Sequence, residues 1–284
     1  MRPYRKPVML ISIALTVLFC CTACKYRKAL PAPTEETKLT NAYGNEIPVY
    51  SDVSLSDLDP ALFIRNENGR FTYADPTVRS YTGVDVSTFQ GEIDWDAVQA
   101  DGIDFAMLRV GYRGYGPEGK LGDDDRFAEN YKAAAAAGLK VGVYFFSQAI
   151  SPEEAREEAD FVLSRTADIS LDYPIAYDWE RIDYDTARTD SMTSEQISAC
   201  AAAFCDEIAA HGYDALIYFN RELGYFNYDL SVVNSYHFWL AEYLEKPTFI
   251  YDYKMWQYTK TGSVRGIDGN VDLNICVYNY GGVR

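Results

Sequence analysis

The sequence predicts an α/β protein: an irregular, TIM-like (β/α) barrel of parallel strands with few helices in its C-terminal half. Three observations carry this expectation. From Gly83 onward, strand-like and helix-like segments alternate, the pattern of a parallel sheet crossed by helices. About eight strand segments fit into about 200 residues, which suits a closed barrel better than an open sheet. Beyond Phe219 the strands follow one another with little helix between them, so the barrel should be irregular.

The elements follow in order. Val84 to Val86 is a short apolar strand, and Trp95 to Ala100 a helix. Phe105 to Gly111 is a buried strand. Arg126 to Ala137 is an alanine-rich helix stopped by Gly138, because glycine accepts the left-handed turn that ends a helix. Lys140 to Ser147 is a strand. Ser151-Pro152-Glu153-Glu154 opens the next helix, with a hydroxyl cap, a proline that needs no N–H donor there, and an acid in the first turn. Pro174 to Trp179 is a strand. Thr193, with Gln196 three residues on, caps a helix that ends near Gly212. Ala215 to Phe219, His237 to Ala241, Lys254 to Tyr258 and Val271 to Tyr278 complete the strands.

Ahead of the barrel, Leu62 to Tyr73 has the signature of a hairpin, since Asn68-Gly69 favours a tight turn between two apolar-containing runs. Lys25 to Leu58 is polar, with Pro31, Pro33, Glu35 and Glu36 close together, and reads as a tether. The chain starts as an export signal: Arg2, Arg5 and Lys6 precede an apolar run from Val8 to Cys21. The run is short for a membrane-spanning helix, which needs roughly 20 residues. Cys21-Thr22-Ala23-Cys24 resembles a bacterial lipobox, which would put a lipid on Cys24. Lys25, Arg27 and Lys28 beyond the run fit an uncleaved signal anchor instead. The expected division is therefore a signal over 1–23, a flexible tether over 24–58, a hairpin-like extension over 59–81 and the barrel over 82–284. Either anchor places the barrel outside the cytoplasmic membrane.

Composition narrows the function. The net charge of −16 argues against nucleic acid as a partner, because phosphate binding draws on clustered Lys and Arg. It also gives no long-range attraction towards an anionic surface, so any grip must come from a specific cleft. Three of the six cysteines sit in the signal. Cys200, Cys205 and Cys276 form no CxxC pair, and His211 and His237 are isolated, so neither a structural metal nor a cofactor is expected. A monomer is expected.

The chemistry concentrates in carboxylates. Asp178 and Glu180 stand two apart at the end of a strand and so face the same side. In an α/β barrel that end carries the active site. Two neighbouring acids cannot both ionise cheaply, so one should keep its proton, as protonation of a glycosidic oxygen requires. An isolated Asp-x-Glu could equally be a solvated strand end. Two more acids change the balance. Asp85 lies among apolar residues of the first strand, where an unpaired carboxylate would be costly. Asp272 lies on the last strand, which barrel closure sets beside the first. Tyr144, Tyr218, Trp239, Tyr243 and Gln257 lie at or near strand ends. Aromatic rings there can pack on the C–H faces of sugars, although each taken singly also fits core packing. No Gly-x-Ser-x-Gly elbow, P-loop or dinucleotide fingerprint is present.

In order along the chain stand Gly83-Val84-Asp85-Val86-Ser87, Gln90-Gly91, Phe105 with Arg109, Gly138 with Gly142-Val143-Tyr144, Asp178-x-Glu180, Trp239-x-Ala241-x-Tyr243, Trp256-Gln257-Tyr258 and Val271-Asp272-Leu273-Asn274. This series resembles glycoside hydrolase family 25, the lysozymes of N-acetylmuramidase type, from about Thr82 to Tyr278. The resemblance implies cleavage of the β-1,4 bond between N-acetylmuramic acid and N-acetylglucosamine, with peptidoglycan glycan strands as the partner. Glu180 matches the family's general acid, Asp178 its assistant, and Asp85 and Asp272 two further acids. Phe145 departs from the pattern, as many members carry histidine there. Two mechanisms stay open: attack by the substrate's own acetamido oxygen, or direct inversion by a water activated from Asp85 or Asp272. Two other functions compete, a chitinase-like enzyme and a non-catalytic wall-binding lipoprotein.

Overall fold

A computed structural model describes residues 44–47 and 49–280 and the backbone of 39–40; the expected export signal, Cys24 and the first part of the tether lie outside the described residues. Its frame is eight strands: β1 (Tyr81–Val86), β2 (Phe105–Arg113), β3 (Lys140–Ser147), β4 (Ile175–Trp179), β5 (Ala215–Asn220), β6 (His237–Ala241), β7 (Met255–Gly262) and β8 (Val271–Cys276). Each pairs with the next, and β8 pairs with β1, so the sheet closes into a barrel.

One expectation needs correction. β1 to β7 are parallel, but β8 runs antiparallel to both neighbours. Only residues 263–270 connect it to β7. A parallel return needs a crossover of a dozen or more residues, whereas so short a link only lets the chain double back. A short strand, Leu121–Asp123, also folds back along the end of β2. Leu-Gly-Asp carries little strand signal, because glycine and aspartate are poor strand formers.

Helices α1 (Trp95–Ala100), α2 (Phe127–Ala136), α3 (Pro152–Thr166) and α4 (Ser194–Ala210) cover the first half of the barrel. Their caps follow the sequence. The Ser151 hydroxyl accepts from the Glu154 amide, and Thr193 and Gln196 cap each other reciprocally. After β5 come only the short α5 (Arg221–Phe226) and α6 (Leu230–Val233), and β6 to β8 follow without helices. No helix among the described residues is long and apolar enough to cross a membrane.

Period-two alternation splits the strand side chains between two cores. Outward residues such as Ala106, Leu108 and Tyr177 pack under the helices. Inward residues, among them Phe105, Met107, Leu216 and Met255, fill the barrel. Phe105 stacks on Tyr173 at 4.4 Å between ring centroids and plugs the floor. Gly83 makes room for it, since a Cβ there would lie 2.2 Å from the Phe105 ring. The open end is therefore the opposite one, at the C-terminal ends of the parallel strands.

Ahead of the barrel, Phe63–Arg65 and Phe71–Tyr73 pair antiparallel around Gly69, at φ 76°. Phe63 and Phe71 then pack on Trp256, with ring centroids at 5.1 and 4.9 Å. The expected flexible tether to Leu58 ends earlier than its polarity suggests. Leu55 bridges Tyr251, the Ser56 N–H donates to the Ile250 carbonyl, and the Asp252 N–H donates to Ser54. The helix-free stretch after β6 leaves backbone groups to be paired, and this segment pairs them.

Candidate active site

Every residue of β4 is buried, and its alternation sends Tyr177 and Trp179 outward and Ala176 and Asp178 inward. Asp178 is only 5% exposed, while Glu180, one residue past the strand, is half-buried. A buried side chain holds this strand end. Gln148 donates through Nε2 to the Glu180 carbonyl at 2.9 Å and accepts the Thr189 hydroxyl at 2.8 Å.

Asp85 near the end of β1 and Asp272 near the start of β8 are direct register partners, and their carboxyls are hydrogen-bonded to each other. The antiparallel course of β8 brings Asp272 to the mouth from the opposite direction. Asp85 Oδ2 also accepts Gln257 Nε2 at 2.9 Å and Asn274 Nδ2 at 2.7 Å. A cavity of about 410 Å³ opens over this group. Asp85, Asp178, Glu180, Asp272, Tyr144, Tyr218, Trp239, Tyr243 and Gln257 all line it, so the residues singled out within the barrel come together. They do not contribute alike. Trp239 is 1% exposed, gives its indole N–H to Asn274, and sits edge-on to Tyr144 and Tyr218 as part of the wall. Tyr243 is 45% exposed and stands at the rim.

Four contributors carried no site role in the sequence reading, although Arg109 and Asn274 stand within its motif series. Arg109 alternates inward with Phe105 and Met107 and donates to Asp124 at 2.9 Å, while its guanidinium lies over the Phe89 ring at 4.9 Å. Asp124 also accepts the Thr88 N–H, so one carboxylate pins both Arg109 and the Phe89 turn. Phe89 is 82% exposed at the mouth. Lys260 lines the opposite wall near Tyr243. Asn274 is completely buried beside Asp85. The available signal was a charge inside an apolar strand: Arg109 must find an anion or reach a cleft. Phe89 and Lys260 carry no comparable mark.

Burial and mutual repulsion push these acids towards their neutral forms. Asp178 is held well above the usual carboxylate range by burial and by the negative charges of Glu180 and Asp85, partly offset by Arg109. Glu180 is raised to about 7 by burial and by Asp85, with Lys260 opposing. Asp272 is raised to about 8 by burial and by its bonded neighbour Asp85. Burial also raises Asp85, and its amide donors offset only part of that rise. Among the described residues, no protein group hydrogen-bonds Asp178 Oδ1. Nor do they include a group of three or more His, Cys, Asp or Glu placed to hold a metal ion.

A second cavity, of about 670 Å³, adjoins the first through Glu180 and Tyr243 and is walled by Arg181, Arg221, Leu223 and Phe226. The two form a cleft with Glu180 where they meet.

Residues 84–267 match the model of glycosyl hydrolases family 25. The chain belongs to that family. Two curated relatives are the autolytic lysozyme of Clostridium acetobutylicum, 30% identical over 193 residues, and lysozyme M1 of Streptomyces globisporus, 29% identical over 205. Each alignment covers 68% of this chain, but only 54% and 66% of the respective relative, so the chain spans about half to two thirds of their length. The crystal structure of the bacterial lysozyme from Streptomyces coelicolor superimposes with a TM-score of 0.56 at 26% identity, covering 68% of this chain and 90% of that one. The family 25 resemblance read from the motifs is thus met over residues 84–267, from β1 to β7.

Proposed function

We propose that this chain is an exported N-acetylmuramidase that cuts the β-1,4 bond between N-acetylmuramic acid and N-acetylglucosamine in peptidoglycan, with Glu180 as general acid and Asp178 assisting. The observation that carries this reading is the position of Glu180: an acid raised to about 7 where two cavities of one cleft meet. A carboxyl that keeps its proton near neutral pH can protonate a leaving glycosidic oxygen, a contribution of roughly 10²–10⁴-fold. The names of the curated relatives point the same way.

Substrate assistance fits the geometry better than inversion. Asp178 Oδ1 is a buried acceptor without a protein partner, so the acetamido N–H of the substrate can occupy it. That donor favours the ionised form of Asp178 and leaves the proton on Glu180. The acetamido oxygen then attacks the anomeric carbon as the C–O bond breaks and Glu180 passes its proton to the leaving oxygen. Water adds in the second step and returns a proton to Glu180, with net retention. Inversion needs an ionised base on the far side of the sugar. Asp272 is raised to about 8 and bonded to Asp85, whose oxygen already accepts two amides, so neither is a ready base.

The test is digestion of purified sacculi by the full chain in detergent, beside Glu180→Gln, with borohydride reduction and mass spectrometry of the products. Fragments ending in reduced N-acetylmuramic acid from the wild type alone support the reading. Reduced N-acetylglucosamine ends would assign the other bond. Degradation of chitin but not sacculi would favour the chitinase-like alternative, and wall binding without cleavage the non-catalytic one. NMR of the first-formed anomer separates retention from inversion. Export and anchoring rest on the sequence alone. A lipid on Cys24 predicts that Cys24→Ser abolishes fatty-acid labelling, whereas an uncleaved signal anchor predicts no labelling in either protein.

A further inference from the structure

We propose that Asn274 and Gln257 are positioning residues that fix the single negative charge of the Asp85–Asp272 pair on Asp85, and that this charge keeps the proton on Glu180. The proposal rests on Glu180 being the general acid, and it extends that reading to side chains that do not touch the scissile bond.

The argument starts at Trp239. An indole N–H can only donate, and it lies 2.8 Å from Asn274 Oδ1. The amide of Asn274 is therefore oriented, with its oxygen towards Trp239 and its NH₂ towards Asp85 Oδ2 at 2.7 Å. A second arm converges on the same atom. Gln257 Oε1 accepts the hydroxyls of Tyr218 at 3.1 Å and Tyr243 at 2.7 Å, which turns its NH₂ towards Asp85 Oδ2 at 2.9 Å. An amide NH₂ offers no acceptor, so Asp85 Oδ2 carries no proton. Two donors on one oxygen favour its anion. Asp272 is bonded to Asp85 and receives neither amide, so the proton of the pair resides on Asp272. Trp239, Asn274 and Gln257 are all buried, and none can turn without breaking another bond of the array.

The other charged groups around the pair leave Asp85 as the decisive neighbour of Glu180. From β2, Arg109 is engaged by Asp124. From β4, Asp178 is itself pushed towards its neutral form. Lys260 on β7 acts in the opposite sense on both Glu180 and Asp272, and Asp183 adds a weaker repulsion. Tyr144 and Tyr218 are kept protonated by burial, as is Tyr243. Asp85 is the leading charge acting on Glu180.

The experiment uses the full chain and the variants Asn274→Leu, Gln257→Leu and Trp239→Phe, each checked by thermal melting. Carboxyl carbon NMR without substrate reads the protonation directly. Asp85 should be ionised across pH 5–8 in the wild type, while Asp272 takes up its proton well above the usual carboxylate range. In parallel, the alkaline limb of kcat/KM should move to lower pH by about one unit in Asn274→Leu and in Gln257→Leu, as expected when a nearby charge is weakened. Trp239→Phe, which frees the Asn274 amide to turn, should shift it in the same direction by less. An ionised Asp272 beside a protonated Asp85 overturns the proposal. So does a uniform loss of kcat with the limb unmoved in the variants that fold, the signature of a purely structural role. If the wild type cleaves no glycan, the general-acid reading fails on its own, while the NMR titration still decides where the pair's charge lies.

Discussion

Gln148 and Glu180 are joined by a hydrogen bond that ties the end of β3 to the end of β4: the buried Gln148 amide donates to the Glu180 carbonyl at 2.9 Å. Thr189 completes the link from the loop that follows. Replacing Gln148 with Leu leaves a buried carbonyl and a buried hydroxyl without this partner. The expected cost is about 1–3 kcal/mol of stability. Because Glu180 loses its backbone anchor, kcat should fall more than KM rises. Urea unfolding and steady-state kinetics on solubilised glycan check both, and a variant with unchanged kcat would show that the loop holds Glu180 without Gln148.

Glu180 should cost the fold stability at neutral and alkaline pH. Its carboxyl is raised from 4.5 to about 7, so the folded state holds a proton that the unfolded chain releases. That contribution is complete below about pH 4.5 and is lost as pH rises towards 7. Glu180→Gln removes the penalty. The variant should be more stable than wild type at pH 8, by on the order of 2 kcal/mol, and close to equal at pH 4. Melting curves at both pH values decide, and a variant less stable at pH 8 contradicts the raised carboxyl.

The same group sets the pH range of activity. Hydrolysis should decline above about pH 7 as Glu180 loses its proton. Sacculus digestion from pH 5 to 9 measures this. A decline centred near pH 5 would mean that the essential acid is an ordinary carboxyl.

Gly83→Ala tests the barrel floor. The added methyl would sit 2.2 Å from the Phe105 ring, which is itself held by its stack on Tyr173. Overpacking of this kind typically costs 1–3 kcal/mol, so a melting temperature lowered by several degrees is expected. An unchanged melting temperature would mean that Phe105 can move aside.

The strand segments, the capped starts of α3 and α4 and the four acids were legible in the sequence because their signals are local. Alternation marks which residues of β4 face inward, and Asp178 follows from it. Ser151-Pro152 and Thr193-Gln196 announce their helix starts within four residues. Phe89 and Lys260 were not legible, since an exposed aromatic in a turn and a lysine past a strand look the same at a cleft mouth as anywhere else. The polar run ending at Leu58 misled for a related reason: what attaches it is a backbone ladder to residues 250–252, which side-chain polarity does not report.

The sequence by itself determined the alternating elements, the family and the acids available for chemistry. Tertiary structure alone decided that β8 returns antiparallel, which makes Asp85 and Asp272 direct register partners, and that Trp239 orients the Asn274 amide towards Asp85. The division follows from range. Periodicity and capping act over a few residues and leave a trace in the local sequence. The proton on an acid depends on burial and on charges a few ångströms away in space, brought there from strands far apart along the chain, 189 residues in the case of Asp85 and Asn274.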